Sequence, residues 1–307
     1  MKNIKQIAAS LVFVLASVPA FSLTSQEFGT KLLDQILSGN TKNQLTTIQR
    51  WEKAFPNDAD MLLANFSYHA VKGMNLYGES IARVTFQREL PTVPVINASP
   101  FVRNDMHIEK AIQYINKAES LHPNRLDVRW SKLALLANLK KYNEYTTLAI
   151  STMEHSNKIK SAWIGWFGKP WDDGDELLLS QIPEYIQTLI NSKDANAPQM
   201  IDQLCAAVLK LDIDLNTGRG SIRASLNNQK MALIFFTAGK YDAALPYLLQ
   251  IEQETPNATN LLDPIAQTYI AKNDVPNAKL YLAKLMKLGT DEVKLKATQD
   301  LAKLSKK

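Results

Sequence analysis

Apolar residues recur three and four positions apart along most of the chain, the spacing of one face of an α-helix. In "IDQLCAAVLKL" this places Ile201, Cys205, Val208 and Leu209 on one apolar side. No long stretch alternates apolar and polar residues as a half-buried strand would. The pattern therefore predicts an all-α chain, helix following helix. One segment breaks the rhythm: "LYGESIARVTFQRELPTVPVINASPFVRNDM", Leu76 to Met106, is β-branched, carries prolines and lacks helical period. It separates "ADMLLANFSYHAVKGMN" from "HIEKAIQYINKAES", which read as the two helices of one interrupted hairpin. With Val84, Phe86, Val93, Val95 and Ile96 it is too apolar for simple disorder. It either packs over the neighbouring helices or contributes to a ligand surface.

The spacing of small and large residues then repeats. In "NNQKMALIFFTAGKYDAALPYLLQIEQETPNA", Met231, Ala232 and Phe235 take large, small and large packing positions of a first helix. Gly239 makes the turn, where it can adopt a left-handed conformation. Ala244, Leu248 and Ile251 line a second helix, and Pro256 closes the unit. Small residues at Ala232 and Ala244 let the two helices approach, and the large ones fill the groove between them.

"TNLLDPIAQTYIAKNDVPNAKLYLAKLMKLGT" repeats the arrangement with Leu262, Ile265, Ala266 and Tyr269, then Ala278, Leu282 and Leu285. Asn273 and Asp274 make its turn, Asp274 is placed to cap the second helix, and Pro276 sits in that helix's first turn. Asp263-Pro264 predicts a helix that starts at Asp263 or kinks there.

These two units resemble the tetratricopeptide repeat, a helix-turn-helix module of about 34 residues. The resemblance is specific over Leu226 to Thr290 and weaker from Ser25 to Leu211. There "WEKAFPND" and "INKAESLHPNRLD" place Pro56 and Pro123 where the closing proline belongs.

Hairpins are thus expected over Ser25–Asn57, from Asp58 across the interruption, over Leu126–Glu154 with Trp130, Leu133 and Ala134 packed, and over Asp175–Leu211. The last helix, 291–304, is lysine-rich and reads as the solvated cap that a repeat array needs. The division is a leader over 1–22, degenerate hairpins over 23–157 with an insertion at 75–106, and a tryptophan-rich connector over 158–174. Regular hairpins follow over 175–290, then a capping helix and basic tail over 291–307. The resemblance, to exported bacterial members of the family, implies an α-solenoid, a right-handed superhelix whose concave groove holds a protein or peptide. It brings no catalytic residues with it.

Lys2 and Lys5 precede an apolar run from Ile7 to Phe21, with small residues before Phe21 and Leu23. This is the pattern of a secretory signal cleaved before Leu23 or before Phe21, and it predicts a periplasmic or secreted protein. The run is short for a membrane span, which takes roughly 20 residues. No stable membrane insertion is expected after cleavage; an uncleaved anchor is the alternative. The formal charge of +5 falls to about +3 without Lys2 and Lys5, too little to argue for nucleic acid. Cys205, the single cysteine, excludes an intrachain disulfide and reads as a small buried apolar residue.

Candidate chemistry is concentrated in "SAWIGWFGKPWDDGDE", Ser161 to Glu176, with three of the five tryptophans. Trp163 and Trp166 are spaced to share a helical face, Trp171 follows a helix break, and Asp172, Asp173 and Asp175 suit the start of the next helix. The tryptophans either plug an irregular junction or stack on a sugar or anchor a peptide. A calcium loop is disfavoured because the aspartates lack its alternating spacing. In "TGRGSIR", Arg219 and Arg223 either hold an anion at a helix N-terminus or belong to an ordinary loop. His69, His107, His122 and His155 lack zinc-ligand spacing, and no nucleophile elbow or phosphate loop is present. The expectation is a non-catalytic interaction module without cofactor or metal. A small-ligand or glycan-binding accessory to an envelope enzyme is the alternative.

Overall fold

The computed structural model describes residues 23–40, 42–74, 104–160, 162–171, 174–212, 222–256 and 258–304, with side chains left undescribed at Asp175 and over 222–226. The expected signal, most of the insertion, Asp172, Asp173, Arg219 and the basic tail beyond 304 lie outside these residues. The protein divides into two compact units, Met1–Pro123 and Asn124–Lys307. The boundary falls at the proline expected to close the second hairpin rather than at the connector.

The first unit contains α1 (Ser25–Leu37), α2 (Gln44–Ala54), α3 (Ala59–Met74) and α4 (Asp105–Leu121). Helix α1 begins with a capping box. Thr24 accepts a hydrogen bond from the Glu27 N–H, and the Glu27 carboxylate accepts one from the Thr24 N–H at 2.7 Å. Helix α2 buries Ile48 and Trp51. Phe28 stacks on Trp51 with ring centroids 6.1 Å apart, and the Trp51 indole donates to Ser25 Oγ at 2.9 Å.

Helix α3 is buried on almost every side, from Ala59 to Ser67 without a break. It packs most closely against α4, across the interruption expected from the sequence. The interruption ends slightly earlier than its pattern suggested. Asn104 caps α4 by accepting from the His107 N–H, so Asp105 and Met106 are already helical. Asn104 N–H in turn donates to Gly73 C=O at 2.9 Å, tying the end of α3 to the start of α4.

The second unit contains α5 (Leu126–Asn138), α6 (Tyr142–Ile159), α7 (Gly174–Ser192), α8 (Ala197–Val208) and α9 (Ile222–Thr237). It continues with α10 (Tyr241–Glu254), α11 (Thr259–Ala271), α12 (Val275–Leu288) and α13 (Asp291–Leu304). Short turns make antiparallel neighbours of α5 and α6, α7 and α8, α9 and α10, and α11 and α12. Each helix packs on its next neighbour or the one after, the mark of a stacked helical repeat. The residues expected to pack the last two units are buried: Met231, Ala232 and Phe235 in α9, Ala244, Leu248 and Ile251 in α10, and their counterparts in α11 and α12. The expected all-α fold of antiparallel helix hairpins is what the structure shows.

The turns themselves repeat. Gly39, Lys140, Gly239 and Asn273 each have a positive φ, from 57° to 69°. Each is closed by the same two backbone bonds: the left-handed residue donates three residues back, and the next residue donates five back. This is the Schellman closure of a helix end. Asp274 then caps α12 by accepting from Asn277 N–H at 3.3 Å, as its position implied.

Three expectations need correction. Helix α11 starts at Thr259, and Pro264 lies inside it rather than opening it. Near a helix start the missing proline N–H removes one intrahelical bond, and burial of Leu262, Ile265 and Ala266 holds the helix through the gap. Helix α6 runs five residues past Glu154, to Ile159, and stops where Lys160 turns left-handed. The connector that follows is not a helix.

Candidate functional site

The connector is organised around Ile164. Its N–H donates to Asn124 C=O at 2.9 Å and its C=O accepts from Leu126 N–H at 3.2 Å, so one extended residue clips onto the start of α5. Trp171 N–H donates to Trp163 C=O at 2.9 Å and Gly165 N–H to Lys169 C=O at 2.8 Å, closing a narrow loop. A single 3₁₀ turn, Trp166–Gly168, occupies its tip. Extended bonding at Ile164 removes the helical face that the spacing of Trp163 and Trp166 implied. The two indoles fall in different surroundings.

Trp163 is fully buried, with 0% of its surface exposed. Its indole N–H donates to Ser156 Oγ at 3.0 Å, the His155 ring lies 5.4 Å away, and the Arg129 guanidinium lies 5.9 Å from its centroid. It packs the junction between α5 and α6 and presents no face to a ligand. Trp171 is half-buried and lies against Trp130, centroids 5.1 Å apart. Gly165 explains how it fits: a Cβ there would stand 2.5 Å from the Trp171 indole nitrogen. Trp166 is half-buried beside Phe167, with the Arg125 guanidinium 6.0 Å from its ring. Phe167 has φ 53°, a left-handed conformation costly for a bulky residue. Of the three indoles, Trp166 is the one at the loop tip.

Beneath the tip, Arg125 and Asp127 form a buried fork, Nε to Oδ1 at 2.9 Å and a terminal nitrogen to Oδ2 at 2.6 Å. Asp127 Oδ1 also accepts from Val128 N–H at 3.0 Å, so the carboxylate helps start α5. His155 Nε2 lies 2.8 Å from Asn124 Oδ1, and burial, then Arg129 and Lys158, hold its pKa below the usual imidazole value. These side chains brace the connector against α5 and α6. Arg223 lies in the first turn of α9 with its side chain undescribed, and Arg219 lies outside the described residues. Cys205 is buried, and burial pushes its thiol up to about 11, away from nucleophilic use.

The first unit holds a pair that residue spacing hides. His69 on α3 and His107 on α4 meet with their Nδ1 atoms 2.7 Å apart. Tyr114 stacks on His69 with centroids 5.8 Å apart, and its hydroxyl donates to Glu52 at 2.9 Å. The two histidines lie 38 positions apart in the chain. They become neighbours only when the insertion is cut out and its flanking helices are laid side by side. Among the described residues, no group of three or more His, Cys, Asp or Glu side chains is placed to hold a metal ion.

No family model and no curated protein matches the chain. Among solved structures, one described as "Functional Characterization of Pseudomonas Aeruginosa pilF" aligns over 90% of this chain and 97% of that one, at 13% identity with a TM-score of 0.37. The helices define an all-α protein of stacked hairpins.

Proposed function

We propose that the protein is a non-catalytic module of tetratricopeptide-like hairpins that binds a protein or peptide partner in the cell envelope. The observation that carries this reading is the pair of in-phase hairpins α9–α10 and α11–α12, closed by identical turns. Stacked hairpins contact only their neighbours and leave long helix faces for a partner. Leu233 on α9, Leu280 on α12 and Leu295 on α13 are exposed apolar side chains on those hairpins and the helix that follows them. Export rests on the N-terminal pattern alone, Lys2 and Lys5 before an apolar run ending in small residues.

Photo-crosslinking residues placed at Leu233, Leu280 and Leu295 test the surface in cells. A discrete adduct at these positions, absent at the exposed Leu37 of α1, is the expected result. Equal adducts at every position would count against a dedicated surface. N-terminal sequencing of the cellular protein tests export: a start at Leu23 or Phe21 supports it, and retention of Met1 opposes it.

The second reading, a glycan- or small-ligand-binding accessory, draws on Trp166 at the loop tip beside Phe167. Burial of Trp163 and packing of Trp171 on Trp130 leave it a single aromatic platform. A sugar fragment stacking on Trp166 would shift tryptophan fluorescence, and Trp166→Ala would abolish the shift. No response to cell-wall sugars would remove this reading.

A further inference from the structure

We propose that His69 and His107 share one proton and act as a latch that makes the α3–α4 hairpin sensitive to acid. Their Nδ1 atoms are 2.7 Å apart while the ring centroids are 4.9 Å apart, so the rings meet nearly end on. That is a hydrogen-bond distance, and it requires one nitrogen to carry a proton and the other to offer its lone pair. Two neutral imidazoles satisfy the condition, as does one imidazolium with one imidazole. Two imidazoliums do not: both nitrogens are then donors, and two positive charges meet in contact.

The surroundings favour the low-proton state. His69 is buried. From α4 it meets His107, Lys110 and the stacked ring of Tyr114; from its own helix, Tyr68 lies edge-on. The carboxylate that α2 brings to this neighbourhood, Glu52, accepts the Tyr114 hydroxyl. Burial first, then His107 and Lys110, lowers the His69 pKa to about 4.

The pair borders a tight contact of the two helices: His69 lies one turn before Gly73 on α3, and His107 directly precedes Ile108 on α4. A Cβ on Gly73 would stand 2.7 Å from Ile108 Cγ1 and 2.9 Å from Ile108 N, and Gly73 C=O accepts from Asn104 N–H. Rings driven apart by a second proton therefore push on this tight contact. An unfolded chain takes up the proton near 6.5, whereas folded His69 resists it down to about 4. The latch's contribution is complete above 6.5 and is lost as pH falls through that window. The loss reaches up to about tenfold in the folded-to-unfolded ratio per pH unit.

The test uses the full chain. Denaturant unfolding between pH 7.5 and about 4.5 is compared for the native protein, His69→Gln and His107→Gln. His69→Gln is expected to lose this component of the acid dependence whole, and His107→Gln to lose the part that the facing ring supplies, burial of His69 keeping the rest. His122 and His155 are present in all three proteins, so the difference isolates the pair. Identical profiles in the three proteins would overturn the proposal. Should a variant not fold, imidazole nitrogen spectra of the native protein decide. One protonated and one lone-pair Nδ1 in contact, with one ring neutral to about pH 4, support the latch; two rings titrating independently near 6.5 overturn it. Binding of zinc or copper that requires both histidines would also overturn it, by making the pair a metal chelate.

Discussion

Single residues at the hairpin turns bear a measurable share of the fold's stability. Lys140 and Gly239 occupy equivalent left-handed positions with the same two closing bonds. Glycine adopts this conformation freely, while a residue with a Cβ is strained there by roughly 1 kcal/mol. A Cβ on Gly239 would meet nothing within 4 Å, so its replacement is a purely conformational cost. Gly239→Ala is therefore expected to destabilise the protein by about 1 kcal/mol, and Lys140→Gly to stabilise it by up to about 1 kcal/mol. Opposite shifts of the urea midpoint at unchanged slope are the expected readout. Shifts of the same sign would show that side-chain contacts, not φ, govern these turns.

Among the elements, two close approaches position everything around them. Helices α3 and α4 meet at Gly73, where Ile108 leaves no room for a methyl group. Gly73→Ala should force them apart and cost about 1–3 kcal/mol, the range of core overpacking. Because His69 lies one turn from Gly73 and His107 adjoins Ile108, the same substitution should return the His69 titration toward 6.5, measured by imidazole NMR. An unchanged titration would mean that the rings, not the backbone contact, set the helix spacing. The connector has the same kind of constraint at Gly165, against the Trp171 indole. Gly165→Ala should displace Trp171 from Trp130 and change the tryptophan emission while leaving the helical circular dichroism nearly intact.

The last two hairpins were legible because small and large residues recur at a fixed interval, and a repeat is its own control. The connector misled because a three-residue spacing means a shared face only inside a helix. The bonds at Ile164 that make it extended come from Asn124 and Leu126, nearly forty positions earlier. The histidine pair was hidden for a related reason: contact across an insertion has no local period.

Over the molecule as a whole, tyrosine is the residue whose burial sets an alkaline limit. Tyr114, in the first unit, is raised to about 12 by burial and then by Glu52, which accepts its hydroxyl. In the second unit, Tyr145 and Tyr185 meet edge to face, 5.8 Å apart, and burial raises both. Tyr281 is raised by burial and by its hydrogen bond to Glu252, whose carboxylate also pairs with Lys284.

In every case the folded state holds the phenolic proton above the unfolded value of about 10. Stability from these groups is complete below pH 10 and is lost as pH rises toward the folded values. Both units should therefore unfold in alkali, with the phenolate absorbance of these four tyrosines, read as the difference from their Phe variants, lagging until the helices melt and then rising with them. Tyr114→Phe should remove only the first unit's share, and Tyr281→Phe only the second's. Phenolate from these four rings appearing near pH 10 before any loss of helix would show that they are open to solvent and would sever the link between tyrosine burial and the alkaline limit.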